Sequence, residues 1–173
     1  MTGQRLALAS LLMIAPIAAG WAQESPMLYL APGGLDAEVA GAEIGVSMDT
    51  TSEPDTVKSA TKLWGDPIEQ GRMEECGAGP IDFARFGNGV TLHFQNQTFV
   101  GWSTSSESSA TFANGLAIGA PVVDIEPVAG PVETFESSLG YEFGGDNLFG
   151  IANGPGTKAE IEVLWSGISC VFR

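Results

Sequence analysis

The chain has 173 residues, with seven Lys and Arg against 21 Asp and Glu and a formal charge of −14. Such a surface repels phosphate backbones and anionic headgroups, so nucleic-acid binding is not expected. A basic partner, a cation or a salty medium suits it, although acid alone also keeps an exported protein in solution.

Residues 1–22 have the order of an export signal: Arg5, an apolar run from Leu6 to Ala15, Pro16, then Gly20 and Ala22 before a cut at Gln23. The run is too short and too interrupted for a membrane span of about 20 residues. With no cysteine near the cut, a lipid anchor is not expected. The expected location is therefore the periplasm or the medium, after removal of residues 1–22. Residues 23–51 read as an irregular lead-in, broken at Pro26 and Pro32-Gly33-Gly34. Within it, Met27-Leu28-Tyr29-Leu30 is either a short strand or a peptide packed on the core.

Ser52-Glu53-Pro54-Asp55 opens a helix, with Ser52 as N-cap, proline in the first turn and acids at the positive dipole end. Val57, Ala60, Leu63 and Trp64 share one helical face, and Gly65-Asp66-Pro67 stops it. Strands are predicted over residues 81–86, 90–95 and 98–103. Gly87-Asn88-Gly89 and Asn96-Gln97 supply the turns. These elements make a first unit, residues 52–103. Serine-rich residues 104–114 form a linker. A second unit, residues 115–173, holds a short helix over 121–129, bent by Pro127, and strands over 148–152, 158–165 and 168–172.

Gly65-Asp66-Pro67-Ile68-Glu69 parallels Gly130-Pro131-Val132-Glu133, and the Trp102 segment parallels the Trp165 segment, both at offsets of about 65 residues. An internal duplication is therefore expected. The fold class that follows is α+β, two tandem helix-plus-antiparallel-strand units.

Cys76 and Cys170 are the only cysteines. An even count in an exported chain favours a bridge over two free thiols. Closing a loop of about 95 residues is worth roughly 4–5 kcal/mol in the chain-entropy model. The two cysteines are not spaced as metal ligands and the lone His93 cannot complete a zinc site, so no metal or cofactor is expected. His93, the only histidine, falls on the polar face of its strand. It reads as an ordinary exposed sheet histidine, with a general base as the alternative. Trp102 and Trp165 alternate with Val100 and Val163 and read as core; the alternative is aromatic anchors for a partner. Glu160 with Glu162, and Asp146-Asn147, read as solvated acids without a calcium-loop pattern.

The segments Thr61-Lys62-Leu63-Trp64-Gly65-Asp66-Pro67, EECGAGP (74–80), Phe99-Val100-Gly101-Trp102 and WSGISCVFR (165–173) resemble a group of exported proteins of Gram-negative bacteria. Some members carry the label aspartate-semialdehyde dehydrogenase. The residues do not support that activity, since Gly77-Ala78-Gly79-Pro80 follows no apolar strand and leads into no helix. The order helix then antiparallel strands, occurring twice, resembles the β-lactamase-inhibitor-protein architecture, which implies a binding module of the cell envelope. The function expected is thus a soluble periplasmic binding or interaction protein, inhibition being one form of it. The alternatives are a small hydrolase using His93 or an acidic pair, and a structural envelope protein with no discrete ligand. No catalytic residue is assigned. His93 and Trp102 are the candidate partner-binding residues, and the expected partner is another envelope protein.

Overall fold

The computed structural model describes residues 27–39 and 42–170; the expected export signal, residues 1–22, lies outside them, as do residues 171–173. The chain begins with β1 (Met27–Ala31), β2 (Gly34–Val39) and β3 (Ala42–Ser47), followed by α1 (Glu53–Trp64). Four strands come next: β4 (Glu69–Met73), β5 (Ile81–Arg85), β6 (Val90–Gln95) and β7 (Thr98–Thr104). A 3-10 turn (Val122–Ile125) runs directly into α2 (Glu126–Ala129). The last strands are β8 (Glu133–Ser137), β9 (Gly140–Gly145), β10 (Leu148–Ala152) and β11 (Ile161–Gly167).

All strand pairs are antiparallel. β1-β2-β3 form a small sheet, and the other eight strands form one continuous sheet in the order β4-β5-β6-β7-β11-β10-β9-β8. This overturns the expected α+β class of two tandem units. Among the described residues strand dominates, only α1 reaches three turns, and α2 has four residues. α2 is short because Gly130, at φ 69° and followed by Pro131, ends it, while Pro127 in its first turn lacks the N–H that would carry the α-ladder back into Val122–Ile125. The two strand sets also do not form separate sheets, since β7 pairs with β11 through Trp165↔Ser103, Ser166↔Trp102 and Gly167↔Gly101.

α1 forms for the reasons its sequence suggests. Ser52 is extended and its Oγ accepts from the Asp55 amide at 3.3 Å. Gly65, at φ 82°, closes the C-terminus by donating to Thr61 O. Ala60 is fully buried, and Trp64 packs edge-on to Phe86 with centroids 5.5 Å apart.

The expected lead-in is a β-meander rather than irregular chain. Leu28, Leu30, Leu35 and Val46 enter the core from it. The segment expected to be a linker is also held in place. Leu30 N donates to Thr111 O at 2.8 Å, and Ala110 and Phe112 are buried in the same core. Residues 168–170, expected to begin a last strand, leave the sheet instead. Gly167 turns there at φ 70°.

The large sheet has two unlike faces. Its inner face carries Ala84, Leu92, Trp102, Leu164 and Leu148, covered by the small sheet and the helices. Trp102 is at the centre, 0% exposed. Its Nε1 donates to Ala31 O at 3.0 Å, and its ring meets Phe112 edge-on at 5.9 Å. Truncating it removes a large buried volume and orphans a backbone acceptor. Trp102→Ala should therefore cost about 3–5 kcal/mol, whereas Ser52→Ala should cost only about 1 kcal/mol. Urea unfolding followed by circular dichroism checks this. Equal midpoints for the two variants would contradict the placement of Trp102.

Candidate functional site

The outer face of the large sheet is read from the register. One row crosses all eight strands: Glu69, Arg85, Thr91, Ser103, Trp165, Phe149, Gly144 and Glu133. Side chains alternate along each strand, so these residues share a face opposite Trp102. Arg85 pairs with Glu69 at 2.7 Å and stands 5.9 Å from the Phe83 ring centroid. The Trp165 and Phe149 rings stack at 6.2 Å. Phe149 lies over Gly144, where a Cβ would fall 2.7 Å from the ring, so glycine there makes room for the aromatic. Phe149 is 39% exposed, and Phe135, on the same face of β8, is 51% exposed.

Beside the stack, the first half of the row borders a cavity of about 180 Å³. Its floor is Thr91, His93 and Ser103; Phe83 and Arg85 form one side. Ser169 and Cys170 of the C-terminal segment form another. That segment approaches because Ile168 N donates to Val100 O at 2.8 Å and because residue 101 is glycine. A Cβ at Gly101 would lie 2.1 Å from Ile168 O.

His93 is thus buried, 3% exposed, and the expectation of an exposed sheet histidine is corrected. What buries it comes from about 75 residues further along the chain. His93 Nε2 and Ser103 Oγ share a hydrogen bond of 2.9 Å whose direction depends on the ring tautomer. Nδ1 has no hydrogen-bond partner among the described residues. Burial lowers the His93 pKa from 6.5 to about 4, so the ring is neutral at pH 7.

Cys76, in the β4–β5 loop, and Cys170 are thiols in contact with each other. Burial, with the hydrogen bond and charge of Cys76, pushes the Cys170 thiol up to about 11. Cys76 is buried and Cys170 partly exposed. Residues 77–80 connect two strands and lead into no helix.

Trp102, the other candidate partner-binding residue, belongs to the core and presents nothing to a partner. Its sequence neighbour Ser103 and that residue's register partner Trp165 lie on the opposite face, where Trp165 is only 7% exposed beside Phe149. Glu160 is held by Asn153, whose Nδ2 donates to its carboxylate at 3.1 Å and whose Oδ1 accepts from its amide. Among the described residues no group of three His, Cys, Asp or Glu side chains that could hold a metal ion comes together. Nor is any helix among them long and apolar enough to cross a membrane. Residues of the outer face that were not singled out from sequence include Phe149, whose alternation with Ile151 is a signal, and Phe135 and Ser103, which carry none. The chain matches no protein-family model, no curated protein and no solved structure.

The buried His93 makes stability depend on pH. Its folded pKa lies below the unfolded value, so the unfolded state binds the extra proton. Stability is full above pH 6.5 and falls as pH drops toward 4, by about 3 kcal/mol from this group. His93→Gln should remove that part of the slope. Urea midpoints of both proteins between pH 7.5 and 4 test it, and parallel curves would contradict the burial of His93.

Proposed function

We propose that this is a soluble binding protein of the cell envelope that takes a polypeptide partner on the outer face of its large sheet. The observation that carries this is the Phe149–Trp165 stack with Phe135 beside it. Phe149 and Phe135 are left exposed on the face that the helices and the small sheet leave open, and the buried Trp165 supports the Phe149 ring from beneath. Aromatic side chains held rigid by a sheet lose little freedom on binding and serve well as anchors. Acids end the row on both sides, at Glu69 and Glu133, and the chain as a whole carries −14. The partner's chemistry that fits is an apolar or aromatic segment flanked by Lys or Arg. The export-signal pattern of residues 1–22 and the resemblance to exported Gram-negative proteins support the envelope location.

A second reading, a small hydrolase, has one observation in its favour: the His93–Ser103 hydrogen bond at 2.9 Å. Against it stand the burial of His93, its lowered pKa and the lack, among the described residues, of a partner for Nδ1, where a catalytic dyad needs an orienting acceptor.

Selection of a displayed random-peptide library on the purified chain separates the two. The expected consensus joins an aromatic residue to basic ones. A Phe135→Ser, Phe149→Ser double variant should bind the selected peptides about tenfold more weakly or worse, while His93→Ala binds them normally. Unchanged binding by the double variant, or an acidic consensus, would refute the proposal. Turnover of an activated ester that disappears in both His93→Ala and Ser103→Ala would favour the hydrolase.

A further inference from the structure

Cys76 and Cys170 sit at one edge of the cavity that holds His93, and Cys170 is part of its wall. We infer that these two residues form a redox clasp: in the dithiol form residues 168–170 rest over His93, held by packing and the Ile168–Val100 hydrogen bond, and a disulfide between Cys76 and Cys170 suppresses the transient openings of that segment through which reagents reach His93.

Three observations lead there. First, the segment is laid on the sheet in a place made for it. Gly167 turns the chain out of β11, and bare Gly101 admits the backbone of Ile168. Second, the segment's far end meets a thiol from a different part of the chain. Cys76 lies in the loop between β4 and β5, so the bond would run from the sheet's outer strands to the segment leaving β11 at its centre. Third, the segment covers a titratable group rather than a packed apolar edge. His93 is nine-tenths or more buried, its Nδ1 lacks a hydrogen-bond partner among the described residues, and it lines the same space as Ser169 and Cys170. A packed apolar edge would need no such cover.

The closing step is thiol–disulfide exchange with a disulfide oxidant. One cysteine sulfur attacks the oxidant's S–S bond and releases one thiol. The second cysteine then attacks the mixed disulfide and releases the other. The two thiol protons and two electrons leave on the two thiols released, and a dithiol reductant reverses the exchange. Cys170 is partly exposed, so the pair is within reach of such reagents. This inference does not depend on what the aromatic patch binds.

His93 is the only histidine, so its accessibility can be read without ambiguity. The purified chain is oxidised with glutathione disulfide or reduced with a phosphine, and labelled with diethyl pyrocarbonate. The His93 peptide is then quantified by mass spectrometry. Near-ultraviolet circular dichroism monitors the tryptophans in parallel. The expected result is a native tryptophan signal in both states and labelling about tenfold or more faster after reduction. A Cys76→Ser, Cys170→Ser variant should label at the fast rate in either condition. Equal rates in the two states would overturn the inference, as would failure of glutathione disulfide to form the bond. Loss of the tryptophan signal on reduction would overturn it too, for the bond would then hold the whole fold rather than a cover.

Discussion

The pairing of β7 with β11 holds the rest of the structure in place. Without it the large sheet would be two four-stranded meanders, each with an unpaired inner edge. The register is short, three paired positions, but it is reinforced. The Thr104 hydroxyl accepts from Leu164 N at 2.9 Å and donates to Leu164 O at 3.3 Å, extending the ladder by a side chain. Ser166 Oγ accepts from Gly33 N at 3.0 Å and donates to Asn147 O. Trp102 hydrogen-bonds Ala31. The seam therefore fastens the small sheet as well, and buried polar groups there are matched rather than left to destabilise the core.

The same strands divide structure from function by alternation. Trp102 points in and completes the core; Ser103 and Trp165 point out and begin the candidate surface. Placing both at the seam puts the surface on the part of the sheet with most neighbours, where side chains are held best. The outer face is then split. One half carries the stacked pair of exposed Phe149 on buried Trp165. The other borders a cavity walled on one side by the C-terminal segment, with its histidine kept neutral.

Elements with local chemical signals were legible in the sequence. Ser52, Pro54 and Gly65 bound α1, and Gly87-Asn88-Gly89 and Asn96-Gln97 marked the hairpins, the latter with both central residues at positive φ. The strands at the two edges of the large sheet were not. β4 (EQGRM) and β8 (ETFES) are polar because an edge strand gains from charges that block pairing with other chains. β9 reads as loop because its glycines make room for others: Gly144 for the Phe149 ring and Gly145 for Ala129 O. The site was less legible still. The residue types were noticed, but their roles depend on contacts between distant segments. His93 is buried by residues 168–170, Trp102 by β1 and Phe112, and no periodicity within a strand reports either.

If the β7–β11 seam unites the molecule, the two four-stranded sets cannot open independently. Native-state amide hydrogen exchange, resolved by residue and measured against low urea, tests this most directly. The account predicts that the slowest amides of β6, β7, β10 and β11 exchange with one common free energy and one common urea dependence. Two distinct sets, with β4–β7 opening at a different free energy from β8–β11, would contradict it.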